Sequence, residues 1–179
     1  GTVAGSSDAQ LLALDAGSWF SERFAGEPVP RFAPLARRCR ALGLAANVEI
    51  KPATGHEVET GRRVAADAAQ LWAGAALPPL LSSFSEAALA AAAEAAPMLP
   101  RGLLVEDLPR DWLSRCRELG VVSLHADAAC FDVAAIADIR AAGLWVVLYT
   151  VNDPAEAQRF LSLGVECIIT DRPDIVTAS

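Results

Sequence analysis

Lysine is all but missing from this chain: Lys51 is the only one, in a sequence of 179 residues with a formal net charge of -7 at pH 7. A single ammonium is therefore available to any chemistry that needs one. The acidic balance opposes attraction to nucleic acid, which is not expected as a partner, yet it leaves room for a locally basic phosphate pocket. Histidine is scarce too, with His56 and His125 alone. No His-x-x-x-His pair, Gly-x-Ser-x-Gly elbow or Cys/His cluster occurs, which removes the anchors of a zinc hydrolase or serine esterase. The four cysteines, Cys39, Cys116, Cys130 and Cys167, lie far apart in or beside apolar runs. They form neither a metal pattern nor a disulfide framework, and read as reduced core thiols of a cytoplasmic protein. No run nears the roughly 18 apolar residues of a spanning helix, so no membrane insertion is expected. The opening residues, Gly1 to Asp8, lack a signal peptide's basic and apolar regions, and they do not begin on methionine, so an earlier N-terminus is expected. A glycine-rich phosphate loop follows no strand pattern, which leaves nucleotide and dinucleotide binding unsupported.

What is present is apolar material, 53% of the residues, with 21% charged, enough for one well-buried domain. From residue 46 onward β-type runs alternate with helical patterns, the sequence form of βαβ units around a parallel sheet. Six strands are expected: Asn47 to Lys51, Leu80 to Phe84, Gly102 to Val105, Val121 to His125, Trp145 to Val151 and Cys167 to Thr170. Their nearly continuous apolar character suits strands covered on both faces. Gly43, Gly120, Gly143 and Gly164 each follow a helical pattern and precede a strand, as helix-terminating glycines do. Pro154 after Asp153 marks a helix start, and the alanine-rich stretch from Glu86 to Ala96, bounded by Ser85 and Pro97, reads as a helix. Residues 1–30 show no period and form a lead-in expected to be packed on the barrel. Residues 31–179 form a single α/β domain. A closed (β/α)8 barrel typically takes about 250 residues and eight strands. Six strands imply either a TIM barrel lacking its first two or three strands or an open, doubly wound sheet.

Barrel chemistry gathers at the C-terminal ends of strands. Those ends offer Glu49 and Lys51, Ser82 and Ser83, Glu106 and Asp107, His125, Thr150 and Asn152, and Thr170 and Asp171. Strand alternation puts Glu49 and Lys51 on one face, with Ile50 on the other. Such a pair is either a structural ion pair in the barrel mouth or a place where a hard cation and a phosphate oxygen meet. Asn152, Thr170 and Asp171 suit helix capping or hydrogen bonds to a substrate oxygen. His125 closes its strand and could serve as a general base or metal ligand, whereas His56 lies in a polar loop. Trp72, Trp112 and Trp145 read as packing residues. Trp19 and Phe20 either pin the lead-in to the barrel or border a pocket.

Several segments occur together in one order: Asp15 to Phe20 with Gly26 to Pro30, Asn47 to Pro52, Leu80 to Phe84, Leu99 to Leu104, Val122 to His125, Tyr149 to Asn152 and Gly164 to Asp171. In that order and spacing the chain closely resembles the cytosolic bacterial glycerophosphodiester phosphodiesterases, over essentially its whole length. The resemblance implies a barrel of the type shared with phospholipase C. It also implies hydrolysis of a small-molecule glycerophosphodiester to sn-glycerol 3-phosphate and an alcohol, with a divalent cation such as Mg²⁺ or Ca²⁺. Glu49 matches the metal-ligand glutamate, and Lys51 the lysine near metal and phosphate. Phe84 and Tyr149 match positions that line the substrate mouth, and Asn152 belongs to the same substrate-side group. His125 matches a position shared with the cytosolic bacterial members that is not one of their acid-base histidines. The family's opening His-Arg-Gly strand, its Pro-Glu-Asn-Thr segment, a Glu and Asp strand and a His-Asp pair have no counterpart. The chain is thus expected to be the C-terminal portion of the enzyme. Two other readings remain: a barrel fragment that acts as a binding or assembly module, and a different barrel enzyme, such as an aldolase, using Lys51 for Schiff-base chemistry.

Overall fold

A computed structural model describes residues 1–3 and 5–177. Six parallel strands form one sheet in sequence order, β1 (Asn47–Glu49), β2 (Leu80–Ser83), β3 (Arg101–Val105), β4 (Ser123–Asp127), β5 (Trp145–Tyr149) and β6 (Cys167–Ile168). Every neighbouring pair is parallel, so each connection crosses over through a helix. The helices are α1 (Asp8–Leu12), α2 (Phe32–Ala41), α3 (Glu57–Leu71), α4 (Glu86–Ala95), α5 (Trp112–Leu119), α6 (Val133–Ala141) and α7 (Pro154–Ser162). All six expected strands exist, and the sheet is a half-barrel with β1 and β6 as its edges among the described residues.

Local chemistry explains the boundaries. Ser85 accepts a hydrogen bond from the Ala88 amide and starts α4, where alanine's low side-chain entropy cost does the rest. Asp153 accepts from the Glu156 amide beside Pro154, which starts α7. Gly43, Gly120, Gly143 and Gly164 all take positive φ after their helices, as their placement predicts.

The core lies between sheet and helices in two clusters. Leu103, Leu124, Val146 and Leu148 meet Cys116, Ile136, Ile139 and Phe160, while Ile50 and Leu81 meet Ala65, Ala68 and Ala88. Each fully buried aliphatic or aromatic side chain here contributes roughly 1.5–3 kcal/mol. The helices α3 and α4 approach closely at Gly61, where a Cβ would stand 2.2 Å from the Ala88 carbonyl oxygen. Only a glycine fits there.

Alternate residues face the concave side. In one row Glu49 is level with Ser82, Ser82 with Gly102, and Gly102 with Ser123. The sheet curls: Phe84, just past β2, and Tyr149 of β5 have ring centroids 6.1 Å apart. Their strands are separated by three spacings, about 14 Å if the sheet were flat.

Some expectations need correction. β4 does not end at His125 but continues to Asp127, so His125 sits one layer below the strand end. Of the four cysteines, all free, only Cys116 is buried; Cys130 and Cys167 are exposed, on a short 3-10 helix and on an edge strand. Trp145 is 59% exposed because it stands at the N-terminal rim of the sheet, past the helix layer. The lead-in turns Val3, Leu12, Leu14, Trp19 and Phe20 to solvent, so the aromatic pair does not pin it to the barrel. What orders the loop is Asp15, whose carboxylate accepts from the Gly17, Ser18 and Gly26 amides and the Ser18 hydroxyl. Those bonds, the Ser18 hydroxyl foremost, hold its carboxyl well below the usual carboxylate range.

Candidate active site

The polar strand ends converge at one rim. Beyond β1 the Ile50 amide donates to the Ser82 carbonyl at 2.6 Å, and the Ser83 hydroxyl donates to the Ile50 carbonyl at 2.6 Å. This clamp turns Ile50 into the helix-side core, where it is buried. Glu49 and Lys51 consequently share the opposite, concave face, with Lys51 Nζ 3.8 Å from Glu49 Oε1. They stand at the same end of the parallel sheet as Thr150 and Thr170. The Lys51 side chain is 84% exposed, so the pair is solvent-screened and adds little to stability. Its ammonium is free to meet an incoming anion.

Phe84 follows β2 two residues past Ser82, the partner of Glu49, as Lys51 follows β1 two residues past Glu49. Its ring is partly exposed and meets the half-buried Tyr149 edge to face. The Tyr149 hydroxyl donates to the Val105 carbonyl at 2.8 Å. Burial, then the negative charges of Asp127 and Glu106, push its pKa up to about 12, so it is a fixed neutral donor at physiological pH.

His125 is elsewhere. It is fully buried on the concave side, with Nε2 2.9 Å from the Ser123 hydroxyl and Nδ1 without a partner among the described residues. A Cβ at position 102 would lie 2.5 Å from both that nitrogen and that oxygen, so Gly102 is what makes room for the pair. Burial lowers the imidazole pKa to about 4, which keeps it neutral at physiological pH. His125 belongs to the floor below the rim and is not a rim acid or base. His56 lies in the loop after β1, exposed, with Nδ1 3.4 Å from Glu59.

Asn152 is used structurally. Its Oδ1 accepts from the Thr170 hydroxyl at 2.9 Å and the Asp171 amide at 2.8 Å, and its Nδ2 donates to the Asp171 carboxylate at 3.2 Å. It ties the loops after β5 and β6 together, while capping of α7 falls to Asp153. Ser82 belongs to the floor and Asp127 to the rim; the strand-end reading offered Ser82 but not Asp127. Ser82 is fully buried with its hydroxyl unpartnered among the described residues. Continuing the alternation two residues past His125 would have found Asp127.

The rim therefore carries Glu49, Glu106, Asp107 and Asp127 with one ammonium, Lys51. A hard divalent cation prefers six or more oxygens. Among the described residues no group of three or more His, Cys, Asp or Glu side chains is placed to hold a metal ion, and Glu49 has Lys51 as its ion-pair partner. These side chains do not complete a cation's oxygen shell, and Glu49 is the single candidate they offer towards one. A separate surface hollow of about 540 Å³, lined by Val133, Arg140, Trp145 and Glu166, lies at the other end of the strands, away from these groups.

Comparisons with known proteins agree with the fold. A model of the "Glycerophosphoryl diester phosphodiesterase family" matches residues 1–175. YhdW of Bacillus subtilis (strain 168), named for glycerophosphodiester phosphodiesterase, is 26% identical over 174 residues, 93% of this chain and 68% of that protein. Among solved structures, an Oleispira antarctica phosphodiesterase in complex with the product sn-glycerol-3-phosphate superposes with a TM-score of 0.90 at 31% identity, covering 98% of this chain and 71% of that one. A glycerophosphodiester phosphodiesterase from Agrobacterium tumefaciens str. C58 gives 0.79 at 25% identity, covering 98% and 73%.

Proposed function

Because the chain belongs to the glycerophosphoryl diester phosphodiesterase family, we propose that it hydrolyses glycerophosphodiesters to sn-glycerol 3-phosphate and an alcohol. One observation carries the reading: the chain's only lysine stands exposed at the C-terminal rim of a half-barrel, 3.8 Å from the Glu49 carboxylate. In the reaction a water oxygen bonds to phosphorus while the bond from phosphorus to the alcohol oxygen breaks, a proton of the water ends on the departing alcohol oxygen, and negative charge grows on the non-bridging oxygens. Lys51 offers a full positive charge to those oxygens. Glu49 holds the ammonium on the concave side. Phe84 and Tyr149 supply an apolar wall beside it, and the Tyr149 hydroxyl, committed to Val105, fixes the ring. The relative solved with sn-glycerol-3-phosphate supports this product class.

Glu49 is the one carboxylate beside Lys51 and hence the one proposed ligand here for Mg²⁺ or Ca²⁺; no step above depends on that cation. Release of glycerol 3-phosphate from glycerophosphocholine, measured with and without Mg²⁺ or Ca²⁺, tests both assignments. Lys51→Ala is expected to lower kcat/KM by about 100-fold, and Glu49→Gln to abolish any response to added cation. Undiminished turnover by Lys51→Ala would remove the rim from the mechanism.

A further inference from the structure

The end of the half-barrel opposite the rim carries an arc of apolar side chains that the core does not use. The connections leading into β1 to β5 each present one: Leu44 ahead of β1, Leu77 ahead of β2, Met98 ahead of β3, Val122 ahead of β4 and Trp145 opening β5, all exposed. Met98, the chain's only methionine, is 89% exposed. Because the strands are parallel and pair in sequence order, these residues follow one another along the N-terminal end of the sheet. Scattered apolar residues on a surface need no explanation, whereas one in each of these successive connections makes a patch. The charge around the arc is basic. Helices that run back against the strands end there, and their last turns hold Arg38 and Arg40 of α2, Arg117 of α5, Arg140 of α6 and Arg159 of α7. Arg140 and Arg159 have acidic partners in Glu166 and Glu156, and Glu94 at the end of α4 is taken by Arg62. Arg40 bonds the neutral carbonyls of Leu71 and Ala73, and Arg101, opening β3, those of Leu99 and Gly120. That leaves Arg38, Arg40, Arg101 and Arg117 against Glu118 and Asp138, so this end is positive in a chain of net charge -7.

We propose that this end is a peripheral docking face for an anionic phospholipid surface, with Leu77, Met98 and Trp145 entering the headgroup boundary and the arginines meeting lipid phosphates. Apolar burial and attraction to anionic lipid act together in such contacts. Tryptophan suits the boundary, since its ring is apolar and its N–H polar. The apolar side chains come from separate connections at one end of the sheet, not from the walls of a groove, which fits a fluid surface better than a helix of another protein. No helix among the described residues is long and apolar enough to cross a membrane, and the contact requires none. Docked in this way the molecule turns Glu49 and Lys51 away from the bilayer, and its mouth opens to the aqueous side.

Co-sedimentation of the purified chain with vesicles tests the assignment independently of turnover. Vesicles of phosphatidylglycerol mixed with phosphatidylcholine are expected to bind it about tenfold more tightly than phosphatidylcholine alone, a difference that shrinks as salt rises. Leu77→Ser with Met98→Ser should weaken binding by about tenfold, and Arg38→Gln with Arg117→Gln should remove most of the preference for anionic lipid. Tryptophan fluorescence should shift to the blue on binding and lose that shift in Trp145→Phe, which leaves the exposed Trp19 in place. The replaced side chains are all exposed, so these variants keep the fold. Absence of sedimentation with either vesicle, or binding that the variants leave unchanged, would overturn the docking face. A concentration-dependent dimer dispersed by Leu77→Ser with Met98→Ser would overturn it as well, by assigning the arc to a second copy of the chain.

Discussion

An imidazole with one nitrogen unpartnered and no access to water ties stability to acidity. The unfolded chain takes up a proton on His125 near pH 6.5, whereas the folded chain resists until about pH 4. Because the folded value is the lower one, the stabilisation is complete above about pH 6.5 and drains away as pH falls towards about 4. The amount at stake is on the order of 3 kcal/mol. Urea unfolding across that range should show a steeper acid loss for the wild type than for His125→Phe, and parallel curves would contradict the burial argument. The same residue shows where sequence reading stopped short. A histidine closing an apolar run looks like a rim residue when the strand is assumed to end with it, and nothing in Val122 to His125 says that Ala126 and Asp127 continue the strand. Glu49 and Lys51 were legible because alternation alone fixes their shared face. Asn152 was legible only as a polar strand-end residue, since its partners Thr170 and Asp171 are brought close by folding.

Helices declared themselves through their ends. Asp153 with Pro154, and Ser85 before the alanine run, mark starts that the structure reproduces, since a capping side chain acts within three residues and needs no tertiary partner. Replacing Asp153 with alanine removes the bond to the Glu156 amide and is expected to cost about 1 kcal/mol, read as a lower urea midpoint with an unchanged slope; no change would mean that Pro154 alone sets the start. Strand limits were less visible. Thr150 and Val151 continue the run of β5 yet lie outside the strand, although the Val151 amide still donates to the Ile169 carbonyl at 2.9 Å just past β6. The lead-in had no periodicity to read, and its order comes from one carboxylate gathering three amides and a hydroxyl.

At the scale of the molecule, the half-barrel was legible from the cadence of strand and helix, whereas its curl depends on contacts between distant strands such as Phe84 with Tyr149. Among the described residues β1 pairs only with β2, so one side of it presents unpaired backbone groups beside exposed Asn47 and Glu49. Open edges recruit further strands. The close seat of Gly61 on Ala88 has a reach beyond packing. Lys51 is carried on the loop entering α3 and Phe84 on the turn entering α4, and these two helices are bolted together near their N-terminal ends. Any wedge driven between them would part the phosphate end of the mouth from its aromatic end, so a single missing methyl group sets the gauge by which a bound ester is measured.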